Sequence, residues 1–167
     1  MLGIDPGYGR IGIAVVEKTN QGDRLIHSEC FETDNKLPHP KRLLMLGEKI
    51  KETIEKYEPQ KLALETLLWS KNVKTAMQVA EARGVILLEA ARKNILIFEY
   101  NPNQIKLAIT GYGKSDKKQV INMVEKLVRL KSSPSTSSGQ ARLDDEYDAI
   151  AIALTCSAIS LSTERLA

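Results

Sequence analysis

Short apolar runs rich in β-branched residues open the chain at positions 2–4, 11–17 and 25–31, and the turn-forming clusters PGYGR and NQGD separate them. That pattern predicts a three-stranded antiparallel meander. The period then changes: Leu43, Leu44, Leu46, Ile50 and Ile54 recur with charges between them, the spacing of an amphipathic helix over 41–57 that Pro59 closes. KLALE at 61–65 reads as a short buried strand, 73–93 as a long helix and ILIFEY at 95–100 as another strand, the β-α alternation of parallel units. The 73–93 helix is apolar on more than one face, with Ala76, Met77, Val79, Ala80, Val85, Ile86, Leu87 and Leu88, so it is expected to meet the sheet and a second surface. Gly84 interrupts it at a cost of about 1 kcal/mol relative to alanine, which predicts close approach of another backbone, that of a dimer partner being one candidate. Residues 117–130 form a further amphipathic pattern, and 145–161 a small-residue, nearly all-apolar helix that must be buried. Between them SSPSTSSGQ, at 132–140, is a low-complexity segment expected to form a flexible loop. No internal repeat is present. The expected fold class is α/β, a mixed five-stranded sheet with three antiparallel then two parallel strands, flanked by helices.

Composition changes this picture little. At 167 residues and 43% hydrophobic content the chain suits a single domain over 1–167 with one substantial core. A balance of 24 basic and 21 acidic residues is too mild to demand a polyanionic partner, but its distribution is uneven. Between 104 and 131 lie Lys106, Lys114, Lys117, Lys118, Lys126, Arg129 and Lys131, against only Asp116 and Glu125. Cys30 and Cys156 are far from any C-x-x-C spacing, so neither a disulfide framework nor a zinc site is indicated. No basic leader and no membrane-length apolar stretch is present, and a cytoplasmic location is expected.

Candidate chemistry rests on acids. Asp5 ends an apolar strand just before Pro6 and Gly7, where a carboxylate stands at a turn and serves equally as an Asx-turn cap. Glu65 ends KLALE, where a charge facing the core needs compensation and one facing solvent needs none. Asp145 and Asp148, three apart at the start of the last helix, share one face; helix-dipole preference or capping explains the run LDDEYD equally well in isolation. Taken together, two acids at strand ends and two on one helical turn make an all-oxygen donor set suited to Mg²⁺, with Mn²⁺ the alternative. A metal pair in such a set activates water and polarises a phosphoryl group without a protein nucleophile, which points to phosphodiester hydrolysis.

The segments LGIDPGYGRIGIAVVE, ALETLLWSKNVKTAMQVAEARGVILLEAA, FEYNPNQIKLAITGYGKSDKKQV and DDEYDAIAIAL, in that order, resemble the RuvC family of Holliday-junction resolvases over nearly the whole chain. The DPG turn, KNVKTAMQVAEARG and YGKSDKKQV are the most specific parts. The resemblance implies a ribonuclease-H-like fold and a homodimer that places paired, symmetric metal-dependent nicks in four-way DNA junctions, in recombination and repair, alongside a branch-migration helicase. It places Asp5, Glu65, Asp145 and Asp148 on the family's metal-binding acids, and Lys106 and Lys117 on basic residues that contact DNA near the cut. Lys114, Lys118, Lys71 and Trp69 join them as candidate DNA contacts, although a lysine on a solvated helix face or a tryptophan packed on its own protein is the plainer account of each. Three departures stand out: only four residues precede Asp5, which predicts a weakly held first strand; Leu68 precedes Trp69 where relatives carry the stacking aromatic; and SSPSTSSGQ is inserted. Competing readings are a catalytically impaired junction-binding protein, a ribonuclease-H-like nuclease acting on another branched DNA or on RNA, and an actin-like ATPase. The last needs a second phosphate loop and an adenosine pocket, and neither is visible in the sequence.

Overall fold

Three strands, β1 (Leu2–Pro6), β2 (Arg10–Thr19) and β3 (Gly22–Glu32), form the antiparallel meander the pattern predicts. The computed structural model describes residues 1–7, 9–66, 73–128 and 144–164, with backbone alone at 73–75 and 160–164. The loop expected at 132–140 lies outside the described residues, as do Leu68, Trp69 and Lys71. After α1 (His39–Tyr57), strand β4 (Lys61–Glu65) pairs parallel to β1. Helix α2 (Val73–Arg92) then leads to β5 (Leu96–Tyr100), which pairs parallel to β4. The sheet order is β3-β2-β1-β4-β5, three antiparallel then parallel. The first strand is not weakly held: β1 is central and is paired on both sides by β2 and β4.

Alternation along the central strands sorts side chains between two layers. Leu2 and Ile4, Ile11, Ile13 and Val15, and Leu62 and Leu64 face one way, onto Leu46, Ile50 and Ile54 of α1 and Ala82, Ile86 and Ala90 of α2. Each large aliphatic buried there is worth about 1.5–3 kcal/mol of transfer free energy. Helix α1 keeps this face by its four-residue spacing, starts with a proline in its first turn and ends on Glu58 at φ 44, ahead of Pro59. The other face carries Ala14, Val16, Ala63 and Tyr100 against α3 (Pro102–Thr110), α4 (Lys117–Leu127) and α5 (Asp144–Glu164). Helix α5 runs between the sheet and the α3-α4 pair, which is why every residue from Ala149 to Ser157 is buried.

Helix α3 lies outside the predicted set. Pro102 sits in its first turn, and Asn101 and Gln104 form a reciprocal capping box, so the same residues that break a sequence pattern start this helix. Gly84 also departs from expectation within the chain: a Cβ there would meet nothing within 4 Å. It lies on an exposed face of α2 with Met77 and Leu88, which are 57% and 51% exposed.

Candidate active site

The acids are gathered by strand register and by glycines. Ile4 pairs with Leu64, so Asp5 and Glu65 follow at the same level on neighbouring strands, both on the α5 side by alternation. Asp5 also pairs with Gly12 of β2. A Cβ at Gly12 would lie 1.9 Å from the Asp145 carbonyl oxygen, and one at Gly3 would lie 2.3 Å from that of Ala149. Only bare backbone at these two positions lets α5 lie directly on the sheet, and that approach delivers Asp145 and Asp148 to the end of β1. Ala149 and Ala153 of α5 keep the same contact small from the helix side.

The charge state reports the crowding. Burial pushes the Asp5 carboxyl up, the negative charges of Asp148, Glu65 and Asp145 push it further, and despite Lys117 it reaches about 7. Burial and then Asp148 raise Glu65, with Lys106 opposing. Burial raises Asp148 as well, and outweighs its hydrogen bond from Lys117. Burial pulls Lys117 down, but its hydrogen bonds to Asp148 and Asp144 leave it raised overall. Asp148, Glu65 and Asp145 thus all act on Asp5, in a site of reduced solvation.

Two cations already lean on the cluster. Lys117 Nζ sits 2.9 Å from Asp148 and 3.3 Å from Asp144. Arg10 Nε sits 2.9 Å from Asp145, whose same oxygen accepts a hydrogen bond from Cys30 Sγ at 3.7 Å. Burial pushes the Cys30 thiol up to about 12, so it stays a donor. Among the described residues no three His, Cys, Asp or Glu side chains stand close enough to form a finished metal site. The cause is visible: Asp145 is turned to Arg10 and Asp148 to Lys117, while neither Asp5 nor Glu65 forms an ion pair among the described residues. An all-oxygen, partly buried anionic set is the donor chemistry that suits hard divalent cations.

Lysine at the first position of α4 opposes the helix dipole, and Asp116, capping through a box with Gln119, together with Asp148 and Asp144 offsets it. A cavity of about 230 Å³ opens beside this group, bordered by Glu65, Asp148, Lys106 and Lys117 and floored by Ile105 and Ile152. Lys106 and Lys117 therefore border the same cavity as two of the acids. Lys114 and Lys118 are exposed, without an ion pair to the acids among the described residues. Sequence reasoning missed Arg10, the Asp144 contact with Lys117, and Gly3 and Gly12. Glycines inside two predicted strands, matched by a small-residue last helix, were the available signal for the last two.

Comparison with known proteins gives a consistent picture. The family described as crossover junction endodeoxyribonuclease RuvC matches residues 1–156. A relative of that name from Petrotoga mobilis is 46% identical, the match covering 92% of this chain and 90% of the relative. Another from Thermotoga petrophila is 40% identical over 99% of this chain and 96% of its own length. Among solved structures, Thermus thermophilus RuvC in complex with a Holliday junction substrate superposes with a TM-score of 0.86 at 29% identity, covering 97% of this chain and 94% of that one. The yeast mitochondrial resolvase Ydc2 shares the fold at a TM-score of 0.70 and 13% identity, covering 98% of this chain and 80% of that one.

Proposed function

The chain belongs to the RuvC family of crossover junction endodeoxyribonucleases, and from that premise we propose how its own residues resolve a four-way DNA junction. The enzyme is a metal-dependent nuclease with a ribonuclease-H-like fold. The observation that carries our reading is geometric: Asp5 and Glu65 end neighbouring parallel strands at one level, and the close approach of α5 at Gly12 and Gly3 brings Asp145 and Asp148 to the end of β1. These carboxylates hold divalent metal, Mg²⁺ by preference for a compact oxygen set, with Mn²⁺ as a substitute. When bound there, the cations supply an activated water and neutralise charge that develops on the phosphate.

The protein's part is positioning. Lys106 and Lys117 border the cavity next to Glu65 and Asp148, where ammonium groups attract a phosphate. Lys114 and Lys118 add exposed positive charge for the DNA backbone, and Lys71 and Trp69, outside the described residues, are further candidate DNA contacts. Symmetric nicking needs two identical sites at a fixed separation, which an isologous homodimer provides. The exposed stripe of Met77, Gly84 and Leu88 on α2 supplies its surface: bare backbone at Gly84 lets a second copy approach closely. A branch-migration helicase as partner and a cytoplasmic location complete the reading, and no helix among the described residues is long and apolar enough to cross a membrane.

The decisive experiment is cleavage of a synthetic four-way junction in Mg²⁺. Asp5→Asn or Asp148→Asn is expected to lower the nicking rate at least about 100-fold, the scale of losing one fixed electrostatic element of a hydrolytic site, while junction binding persists. Retained cleavage in either variant removes that acid from the mechanism. The rival reading, junction binding without catalysis, has the short N-terminus and the inserted segment at 132–140 as its motives; a β1 paired on both sides takes the first away, and the second lies outside the described residues.

A further inference from the structure

Arg83 is a buried cation on a helix whose neighbouring inward positions are Ala82, Ile86 and Ala90. A charge there is costly unless every donor is used, and an apolar side chain of similar length is cheaper by default. Its two partners explain its presence. Arg83 Nη1 donates to the main-chain carbonyl of Glu65 at 2.5 Å, and Nη2 pairs with Glu99 at 2.9 Å. Glu65 ends β4 and stands opposite Tyr100 at the end of β5. Thr66 N–H, one residue on, donates to the Tyr100 carbonyl at 2.8 Å, the last β4-to-β5 backbone link among the described residues.

We infer that Arg83 is a positioning residue for metal binding: from the α2 side of the sheet its guanidinium fixes the main chain of Glu65, so that the Glu65 carboxylate emerges on the α5 side at the level of Asp5. A strand end is otherwise free to fray, and a carboxylate that swings with it loses the shared coordination that a hard cation needs. The planar fork matters, because one donor arm holds the carbonyl while the other is anchored on Glu99, a division a single ammonium cannot reproduce. Groups that orient metal ligands from behind commonly govern affinity by about 10- to 100-fold. The assignment rests on the four-acid reading above.

The test is Mn²⁺ binding to the full chain without DNA, followed by electron paramagnetic resonance, beside metal-free junction binding. Arg83→Gln is expected to weaken Mn²⁺ binding by about tenfold or more and to leave metal-free junction affinity within about twofold. Glu99→Gln, which leaves the Glu65 contact in place, is expected to change Mn²⁺ affinity less than the Arg83 variant does. If Arg83→Gln does not fold, Arg83→Lys carries the test, with an intermediate loss of Mn²⁺ affinity. A folded variant with wild-type Mn²⁺ affinity overturns the proposal, and so does a loss shared equally by metal-free junction binding. Mn²⁺ binding that survives Asp5→Asn unchanged overturns the four-acid reading itself, which separates the two failures.

Discussion

On β1, Leu2 and Ile4 face α1 and α2 and fill their side of the sheet with bulk, whereas Gly3 and Asp5 face α5 and leave their side nearly bare. The same contrast runs through β2, where Ile11, Ile13 and Val15 oppose Gly12 and Ala14. One face is built for volume, and the other for closeness. Closeness brings the α5 backbone onto the sheet and draws Asp145 and Asp148 to Asp5, at the cost of an Asp5 carboxyl raised by burial and by its neighbours' charge. Bulky aliphatics and the candidate acid thus lie on opposite sides of one strand only five residues long.

Substitutions matched across the sheet break the contrast most sharply. Gly12→Ala forces a methyl against the Asp145 carbonyl, where neither partner is a flexible side-chain tip. The expected result is destabilisation beyond the roughly 1–3 kcal/mol typical of overpacking, together with loss of junction cleavage, because the helix that moves carries two of the acids. Ile50→Ala, fully buried on the other face, is expected to cost about 2–5 kcal/mol and to leave the nicking rate unchanged well below its melting temperature. Thermal melts paired with nicking rates decide the matter: a Gly12→Ala protein that cuts normally shows that close approach is not what assembles the site.

Much of the apolar face was legible in the sequence, because period-two strands, turn clusters and the 41–57 helix are local patterns that the sheet leaves intact. Helix α3 was not, since nine residues led by a proline read as a break until Ile105 and Ile109 find α5 and its neighbours to bury against. At the site, Asp5 and Glu65 announced themselves as charges at strand ends. Their meeting depends on β4 lying beside β1, a choice of strand order that no local pattern expresses. Lys117 and Lys118 are adjacent in the sequence and alike in composition; only the packing of α4 beside α5 turns the first toward Asp148. Arg10 lies in a turn cluster read for its glycines, and its role depends on where Asp145 arrives from a distant helix.

The two sides of the sheet also respond oppositely to pH. The Asp5 pKa, about 7 in the fold, lies above the value of about 3.9 for an unfolded chain. In the metal-free protein the stability associated with this group is therefore fully present below about pH 4 and falls as pH rises towards 7, because the unfolded chain ionises first. Asp5→Asn removes that loss and is expected to stabilise the metal-free protein at pH 8 by a few kcal/mol. Glu29 behaves in reverse: burial raises it, but hydrogen bonds from His27 and from Lys49 of α1 outweigh burial and hold it below the ordinary range. Its contribution is present above the unfolded pKa and is lost as pH falls through the folded one. Melting temperatures of wild type and Asp5→Asn from pH 4 to 8 are expected to diverge with rising pH, and parallel curves contradict the crowding of charge at Asp5.

The smallest expected effect tests whether the basic edge of the site belongs to the acids or to DNA. Lys117 is held by Asp148 and Asp144, and a side chain that only offsets those charges contributes nothing to phosphate binding. If it neutralises a phosphate, Lys117→Ala weakens junction binding and reduces the steepness of the salt dependence by about 0.9 in a plot of log K against log salt. Lys118→Ala, exposed one residue away without that tie to the acids, is the matched control for removing one positive charge from the same surface. Salt titrations of both variants against one junction, without divalent cation, give the comparison. An unchanged slope for Lys117→Ala with a reduced one for Lys118→Ala places Lys117 among the structural counter-charges of the acid cluster, and moves the DNA path outward along α4.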